Sequence, residues 1–581
     1  MNVPHSIAPP SPPRNIPFLT MSRSLEEEGD FPPEKPLTTT PPSLYYLGSQ
    51  APSSLPSVPA VLQNLKKREA LTVSASRLCI VLVGLPGRGK SFIGRKLANY
   101  LNWKGHRCKV FNVGKYRREV AGSATADFFK GSSASGSSVR EQVAQAALKD
   151  MFEWLEEPVV NMEKEDDYKD VMDSVAIFDA TNSTVKRREM ILNQCASRRF
   201  GVGVVFVESI CDQPDLLEEN FRQKIKISPD FADMPFEEAL IDLKARVKNY
   251  ESVYETIDDD TCSYIKVYNL SAKIMANQIF GRMSKTIIPC LMAWNIGSRP
   301  IWLCRAGETD GGVGGKTGKG TFGSRRTQDA NLSDRGKELR DKLATFVHDK
   351  ARTFHENQSY TPGMGSEKLH DEGEFHGVRL GSGLPVDTRG EKGACKIMCS
   401  TMPRAYQTAA LDEDWRVEQF SSLNPLDKGD FTGLEMEEIK EVDPEWYAQL
   451  RKDPFQTRFP GGESYYDLIQ RLESCLIDME QQVAPVLIVS HVSVLQCLVA
   501  YFRGSPVQEC TSIAFPMDTL VEMVPVQGGS WKENRYSMLP RSRVNSKEPL
   551  PKSPKSPTGS ISEEGGEVEE GNTTHPIWGD S

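Results

Sequence analysis

The segment Gly84-Leu85-Pro86-Gly87-Arg88-Gly89-Lys90-Ser91, which follows an apolar run at residues 78–83, decides the fold of the first half of the chain. A strand, a glycine-rich turn, a lysine, a hydroxyl residue and then a helix are typical of a loop that binds nucleotide phosphates. The glycines let backbone N–H groups approach an anion, and the start of the helix adds partial positive charge. Lys90 can reach the outer phosphates, and Ser91 can offer its hydroxyl to magnesium. Apolar residues at helical spacing in 92–103 supply the helix that the motif requires.

The bulk composition excludes several classes of protein. With 581 residues, of which 38% are apolar, the chain is long enough for two to four domains. The formal net charge of -9 argues against a general nucleic-acid binder, so any anion site must be a local cluster of cations. Twelve cysteines without paired CxxC spacings predict reduced thiols in a cytoplasmic protein and no structural zinc. No apolar run of about 18 residues and no signal-like start occur, so we expect neither membrane spanning nor secretion.

Strand-like and helix-like segments alternate through the first half of the chain. The strand candidates are residues 78–83, 109–113, 175–178, 202–207 and 264–267, and the stretches between them are long enough for crossover helices. This alternation predicts an α/β fold with a doubly wound, mostly parallel sheet. In such sheets, ligands bind at the carboxyl ends of the strands.

Charged side chains follow these strands. Asp179 comes directly after the third strand, where a protein with a phosphate-binding loop places a carboxylate that organises magnesium. Arg140, Lys224, Lys226 and Arg246 add positive charge at loop or helix-start positions. Any one of these cations is more often a solvated surface charge, but together they match what a sugar phosphate requires, because guanidinium groups fit phosphate oxygens.

Eight stretches of sequence carry a family resemblance. They are Val83-Gly84-Leu85-Pro86, Leu101-Asn102-Trp103, Val110-Phe111-Asn112-Val113-Gly114, Tyr116-Arg117-Arg118, Phe178-Asp179-Ala180-Thr181-Asn182, Phe206-Val207-Glu208-Ser209-Ile210-Cys211, Ser228-Pro229-Asp230 and Tyr250-Glu251. In this order they resemble the 6-phosphofructo-2-kinase/fructose-2,6-bisphosphatase family, and the resemblance covers about residues 75–525. It implies a P-loop NTPase-type kinase domain followed by an α/β domain that resembles phosphoglycerate mutase.

The resemblance implies that the first domain transfers the γ-phosphoryl group of ATP to the 2-hydroxyl of fructose 6-phosphate, with Mg²⁺ bound by Ser91 and Asp179. It implies catalytic roles for Lys90, Asp179 and a second lysine. Lys224 and Lys226 flank the residue that aligns directly with this second lysine, and we favour Lys226. The implied nucleotide-binding residues are Gly84, Leu85, Pro86, Gly87, Arg88, Gly89, Lys90, Ser91 and Asn220. The implied substrate-binding residues are Arg117, Arg140, Thr181, Arg187, Arg246 and Tyr250.

The second domain lacks two groups that its family uses. The phosphatases that it resembles begin with Arg-His-Gly-Glu, in which histidine is the nucleophile, whereas this chain has Arg305-Ala306-Gly307-Glu308. Pro425 stands where the family has a glutamate that protonates the leaving oxygen. Arg305, Arg404 and His491 remain and can still bind an anion. We therefore predict a degenerate phosphatase pocket, formed by these residues with Ala306 and Pro425, that does not turn its ligand over.

The predicted domain order has four parts. Residues 1–74 are a disordered leader, 75–290 the kinase domain, 298–528 the phosphoglycerate-mutase-like domain with a mobile insert at 355–395, and 529–581 a disordered tail. Besides the substrates ATP and fructose 6-phosphate, the candidate partners are protein kinases that act on the two termini and a second copy of the chain in a homodimer.

Three functions remain open at this point. The leading hypothesis is a monofunctional 6-phosphofructo-2-kinase that makes fructose 2,6-bisphosphate. One alternative is a bifunctional enzyme that retains phosphatase activity through His491 or direct attack of water. The other is a scaffold whose two pockets only bind metabolites. The intact Lys90, Ser91 and Asp179 favour a catalyst, because a scaffold has no need for a pair that organises magnesium.

Overall fold

The computed structural model describes eleven stretches of the chain, all within one compact unit, Val61–Ser581. They are residues 77–122, 126–129, 134–157, 174–199, 201–271, 273–294, 299–310, 331–359, 395–413, 415–526 and 528–540. The predicted leader at 1–74, residues 360–394 of the predicted insert and the chain after residue 540 lie outside the described residues.

The first half of the described chain forms a six-stranded sheet. Its strands are β1 (Arg77–Val83), β2 (Arg107–Asn112), β3 (Ser174–Asp179), β4 (Gly203–Ile210), β5 (Tyr264–Tyr268) and β6 (Lys273–Asn277). Their spatial order is β2-β3-β1-β4-β5-β6, and only the β5–β6 pair is antiparallel. The prediction of a doubly wound, mostly parallel sheet is confirmed, and the five predicted strands correspond to β1–β5. Strand β6 was missed because it is a largely exposed edge without a continuous apolar run.

Seven α-helices lie along this part of the described chain. They are α1 (Lys90–Trp103), α2 (Val113–Ala121), α3 (Ala134–Glu156), α4 (Val185–Ala196), α5 (Pro214–Ile227), α6 (Phe236–Glu251) and α7 (Arg282–Ala293). Helix α1 starts directly at the glycine-rich loop and buries Ile93, Leu97 and Leu101, so its apolar spacing serves the core as predicted.

The second half forms another six-stranded sheet. Its strands are β7 (Ile301–Arg305), β8 (Lys396–Ser400), β9 (Val417–Phe420), β10 (Val486–Ser490), β11 (Thr519–Val526) and β12 (Ser530–Ser537). In the order β12-β11-β7-β10-β8-β9, strands β7 to β10 are parallel and β11 pairs antiparallel with β7 and β12. The helices of this domain are α8 (Asp334–Ser359), α9 (Pro403–Ala409), α10 (Met436–Val442), α11 (Pro444–Lys452), α12 (Tyr465–Gln481) and α13 (Val492–Arg503). Among the described residues, no helix combines the length and the apolarity needed to cross a bilayer.

The predicted start of the tail at residue 529 is wrong, because β12 occupies Ser530–Ser537 and pairs with all of β11. The strand reads as polar because it is an antiparallel edge with only one face covered. Trp531 and Tyr536 pack against the core, and Glu533 binds Arg503 of α13 at 2.6 Å. The second domain therefore extends to at least residue 540 of the described chain.

Helix α1 lies between the two sheets. On one side Ile93 and Leu97 join the apolar core of the first sheet, and on the other Trp103 donates from its indole N–H to the carbonyl of Cys497 at 2.9 Å. One cluster of buried apolar residues includes members of both domains. The helix that follows the glycine-rich loop is therefore fixed from both sides.

Candidate active site

The glycine-rich loop is held at the ends of β3 and β4, the two strands that flank β1. Gly84 donates from its backbone N–H to the carbonyl of Thr181 at 3.0 Å, and the Ser209 hydroxyl donates to the carbonyl of Arg88. Gly84 has φ of 140°, and a Cβ there would lie 2.6 Å from the Ser209 carbonyl oxygen. Only glycine fits this position, which explains why the motif begins with a glycine.

Lys90, Ser91 and Asp179 meet at the start of α1. The Lys90 ammonium donates to the carbonyl of Leu85 at 2.7 Å, and only 8% of the residue is exposed. The Ser91 hydroxyl donates to Asp179 Oδ2 at 2.7 Å, and the Asn112 side-chain amide donates to the same oxygen. The structure thus brings together the loop lysine, the hydroxyl and the strand-end carboxylate that the sequence placed 88 residues apart.

The electrostatic environment of Lys90 depends on a second lysine, Lys224. Burial and, secondarily, the positive charge of Lys224 lower the pKa of Lys90 to about 7, although Asp179 opposes the shift. Burial likewise lowers the pKa of Lys224, against the attraction of Asp179 and Asp230. An added anion would favour the charged form of both lysines. Binding of a polyanion would therefore raise the pKa of both lysines.

The preference for Lys226 as the second lysine does not agree with the structure. Both lysines lie in the last turn of α5, but Lys226 is exposed and does not line the cavity described below, whereas Lys224 does. On the surface of α5, Lys224 lies beside the buried Phe221 and Ile225. Because each residue of an α-helix turns by about 100°, Lys226 points about 200° away from Lys224. The geometry favours Lys224.

Ser91 and Asp179 could hold a magnesium ion. Their oxygens are hard donors on one side of a cavity, and magnesium usually takes only one or two protein ligands and keeps water or phosphate for the rest. No group of three or more His, Cys, Asp or Glu side chains that could hold a metal occurs among the described residues. The residues present fit an ion that is bound mostly through a phosphate ligand.

A second cluster of cations surrounds Asp230. Arg117 binds both carboxylate oxygens of Asp230, at 2.7 and 2.6 Å, and Arg246 binds Oδ2 at 3.0 Å. The guanidinium of Arg246 also lies between the rings of Phe129 and Phe231, at 4.9 and 4.7 Å from their centres. Burial alone would raise the pKa of Asp230, but the two arginines outweigh it and hold the pKa below its usual value. Asp230 therefore stays ionised and orients both guanidinium groups.

The remaining predicted substrate residues lie near this cluster. Tyr250 shares a side-chain hydrogen bond with Thr181. Arg140 donates to the carbonyl of Phe128, and Arg187 to Glu141. All six predicted substrate residues line one cavity of about 1620 Å³ together with Lys90, Ser91 and Asp179.

The predicted nucleotide-binding residues divide into two groups. Pro86, Gly87, Gly89 and Asn220 line the same cavity, whereas Gly84, Leu85 and Arg88 do not. The side-chain nitrogen of Asn220 is buried without a hydrogen-bond partner. Such a group is usually satisfied by a ligand or water, so the contact fits a nucleotide. Arg88 instead lies 3.7 Å from Glu251.

Sequence reasoning assigned no role to Asn112 or Asp230. Both belong to stretches that carried the family resemblance, and Asn112 is the last residue of β2, at the carboxyl edge where the ligands of such a sheet bind. The strand-end position is the signal that could have identified Asn112. Arg117 and Asp230 are 113 residues apart in the sequence, so no local sequence pattern indicates that they contact each other.

The predicted phosphatase pocket is built at the ends of β7 and β10. Ala306 is buried, and its N–H donates to the carbonyl of Ser490 at 2.8 Å, which places it beside His491. Arg404 Nη2 lies 3.3 Å from His491 Nδ1, and Ser400 Oγ lies 2.8 Å from Nε2. A guanidinium can only donate, so Nδ1 accepts and Nε2 carries the proton toward Ser400. Burial, Arg404, Arg305 and Arg471 lower the pKa of His491 well below its usual value.

Pro425 lies on a loop held by Arg471. The Arg471 guanidinium donates to the carbonyls of Asn424 and Pro425 at 2.8 and 2.9 Å, and binds Glu463 at 2.8 Å. Arg471 was missed by sequence reasoning, and its position inside α12 gives no signal for it. The structure brings His491 and Arg404 together, with Ala306 next to them and no ionisable group at positions 306 or 425.

The matches to two family models agree with this division. The family model described as 6-phosphofructo-2-kinase matches residues 66–298, and the model of the histidine phosphatase superfamily (branch 1) matches residues 388–538. Among solved structures, a putative alpha-ribazole-5'-P phosphatase from Escherichia coli str. K-12 substr. MG1655 is 20% identical with a TM-score of 0.29, and covers 41% of this chain and 95% of its own.

Curated relatives cover both domains. A Mus musculus 6-phosphofructo-2-kinase/fructose-2,6-bisphosphatase 1 is 33% identical over 82% of this chain and 88% of its own length. The Arabidopsis thaliana 6-phosphofructo-2-kinase/fructose-2,6-bisphosphatase is 35% identical over 80% of this chain, which spans about half (54%) of that protein. A Schizosaccharomyces pombe protein named as a probable 6-phosphofructo-2-kinase is 31% identical over 91% of this chain and 79% of its own length. The predicted resemblance is confirmed: the chain belongs to the 6-phosphofructo-2-kinase/fructose-2,6-bisphosphatase family.

Proposed function

We propose that the chain is a 6-phosphofructo-2-kinase, which transfers the γ-phosphoryl group of ATP to the 2-hydroxyl of fructose 6-phosphate. One observation carries the proposal: one cavity is lined both by the phosphate-binding loop with Lys90 and by the Arg117–Asp230–Arg246 cluster. A nucleotide and a phosphorylated sugar can therefore be bound in the same cavity. Phosphoryl transfer needs mainly such positioning together with charge stabilisation.

Each side chain then has a role that follows from its position. Lys90 and Lys224 stabilise the charge that develops on the transferred phosphoryl group, because both lie near Asp179 at the start of α1. Arg117 and Arg246 bind the 6-phosphate of the sugar, while the hydrogen-bonded pair Thr181 and Tyr250 contacts its hydroxyls.

Magnesium, held by Ser91 and Asp179, would neutralise phosphate charge. Asn112 fixes the Asp179 carboxylate by donating to Oδ2. A carboxylate held by protein donors in this way meets a condition for electrostatic preorganisation.

The proposal is tested by incubating the full chain with labelled ATP and fructose 6-phosphate, with and without magnesium. We expect label at the 2-position of the sugar only when magnesium is present. If ATP is bound but no 2-phosphorylated sugar forms, the scaffold hypothesis is favoured instead.

We further infer that the second domain does not hydrolyse fructose 2,6-bisphosphate. Position 306 has no nucleophile, and the Nε2 proton of the neutral His491 is directed to Ser400. The bifunctional alternative requires phosphate release that is lost in His491→Ala. We expect no such release from the same enzyme preparation that makes the bisphosphate.

The cytoplasmic location is supported by the thiols, since all twelve cysteines are free and most are buried. The homodimer and the regulatory protein kinases stay predictions.

The assignment of the second lysine can be tested by a pair of substitutions. We expect Lys224→Met to lower kcat by about a hundredfold, because it removes a half-buried cation that lines the cavity and lies near Asp179. Lys226→Met, two residues away on the exposed side of α5, is the matched control and should keep kcat within about twofold. If Lys226→Met instead lowers kcat more than Lys224→Met does, Lys226 is the second catalytic lysine.

The role of Asp230 gives a separate prediction. Asp230→Asn should raise the KM for fructose 6-phosphate by about tenfold and leave the KM for ATP unchanged, because Arg117 and Arg246 lose the carboxylate that orients them. The exposed Asp233→Asn in the same loop is the control. A lower KM for the sugar phosphate would show instead that Asp230 competes with the substrate for the two arginines.

A further inference from the structure

Among the contacts of the second domain with the nucleotide-binding helix α1 is a buried carboxylate, Glu480 of α12. Lys96 of α1 donates from Nζ to Glu480 Oε1 at 3.0 Å, and the Tyr501 hydroxyl of α13 donates to the same oxygen at 2.8 Å. Arg299 Nη2, just before β7, lies 3.7 Å from Glu480 Oε2. The side chains of Lys96, Glu480 and Arg299 are only 6%, 3% and 1% exposed.

Glu480 is the carboxylate that contacts both of these buried cations. Burial would raise the pKa of Glu480, but Lys96 and Arg299 outweigh it and hold the pKa below its usual value. If the carboxylate were neutral, these two largely buried cations would lose their shared anion. Such a loss is costly, and neighbouring side chains move to avoid it.

Lys96 connects this carboxylate to the reacting end of α1. It follows Lys90 by six residues on the same helix, a rise of about 9 Å. Lys96 and Arg299 both line the cavity of the candidate active site, whereas Glu480 does not. Glu480 can therefore affect a bound nucleotide only through the residues that it holds.

A second interdomain carboxylate contacts the far end of the same helix. Glu473, also of α12, binds Lys104 at 2.7 Å and accepts from the Tyr100 hydroxyl. Lys104 follows Lys90 by fourteen residues, a distance of about 21 Å along the helix. Helix α12 thus places two carboxylates in one interface, one close to the phosphate-binding end of α1 and one remote from it.

We propose that Glu480 is a positioning residue of the kinase site: through Lys96 it sets the place of the phosphate-binding end of α1. The second domain then contributes to phosphoryl transfer whether or not its own pocket has any activity. This inference rests on the proposed kinase function. It assigns to the phosphatase-like domain a part in the reaction that does not depend on phosphatase chemistry.

The test compares Glu480→Gln with Glu473→Gln in the full chain. We measure the Kd for ATP by calorimetry, kcat, and the KM for fructose 6-phosphate, well below the unfolding temperature of each variant. For Glu480→Gln we expect the Kd for ATP to rise about tenfold and kcat to fall by a similar factor, with the sugar KM within about twofold of the wild type. Glu473→Gln should leave all three within about twofold.

Several outcomes would overturn the inference. If Glu480→Gln only lowers the unfolding temperature and binds ATP like the wild type, Glu480 is merely structural. If Glu473→Gln weakens ATP binding and lowers kcat to the same extent, the interface as a whole supports the kinase site and Glu480 has no specific positioning role. A wild type that binds ATP without making the bisphosphate would refute the proposed function, while the comparison of Kd values still decides the role of Glu480.

A second variant protects the test against misfolding. Lys96→Met leaves Glu480 with Arg299 and Tyr501 and should reproduce the ATP defect. Glu480→Asp, which keeps the charge on a shorter side chain, should recover part of the ATP affinity that Glu480→Gln loses. If neither Lys96→Met nor Glu480→Gln weakens ATP binding, the proposal is wrong.

Discussion

Replacing Lys90 by methionine is expected to lower kcat for the formation of fructose 2,6-bisphosphate by about a thousandfold. Lys90 is the buried cation at the start of α1, and phosphoryl transfer depends largely on charge stabilisation at the transferred group. Methionine preserves the length and the apolar packing of the stem but removes the charge. The measurement is the steady-state rate with saturating ATP and fructose 6-phosphate.

A matched control separates this effect from a general loss of positive charge. Lys109→Met removes a lysine from an exposed position on β2 and should leave kcat within about twofold of the wild type. A rate above about a tenth of the wild type in Lys90→Met would contradict the assigned role, since one transition-state contact is ordinarily worth more than that.

The lowered pKa of Lys90 adds a second measurement to the same variant. With a pKa of about 7, Lys90 is mostly neutral at pH 8 in the free protein, and a bound polyphosphate favours its ammonium form. The wild type should therefore take up protons when it binds ATP at pH 8, and less so at pH 6, where Lys90 is already charged. Calorimetry in buffers of different ionisation enthalpy reports this uptake, and Lys90→Met should reduce it.

The buried parallel strands were predictable from the sequence because they are covered on both faces. Strands β1, β3 and β4 are continuous apolar runs, and the polar residues at their ends fall at one edge of the sheet. The edge strands β6 and β12 are half exposed and read as loop or tail. The boundary of the second domain was misplaced for this reason.

The candidate site was predictable to the extent that its residues follow strands. Asp179 ends β3, and the glycine-rich loop follows β1, so local sequence placed them at the carboxyl edge of the sheet. Asp230 and Glu480 act through contacts that span 113 and 384 residues, and no local pattern indicates such pairs. Lys224 and Lys226 are both cations of one helical turn, and only the packing of α5 tells them apart.

The change Ala306→His together with Pro425→Glu is expected to create phosphatase activity in a domain that we propose to be inactive. The backbone contact of Ala306 with Ser490 places an imidazole at position 306 beside His491, with Arg404 3.3 Å from that histidine. The carboxyl group introduced by Pro425→Glu would supply the proton for the leaving oxygen. Because general acid catalysis contributes typically 10²–10⁴-fold, the double variant should release phosphate from fructose 2,6-bisphosphate about a hundredfold faster than Ala306→His alone.

The single variant separates the two missing groups. Ala306→His alone has a nucleophile but no acid for the leaving group, so it should form a covalent phosphohistidine more slowly than the double variant, and the control Ala306→Asn should form none. Adding an imidazole at this buried position costs about 1–3 kcal/mol of stability, so thermal unfolding of each variant is measured alongside. If Ala306→His alone matches the double variant, Pro425 does not limit the reaction. If the folded double variant forms neither phosphate nor phosphohistidine, the pocket has lost more than its nucleophile and its acid.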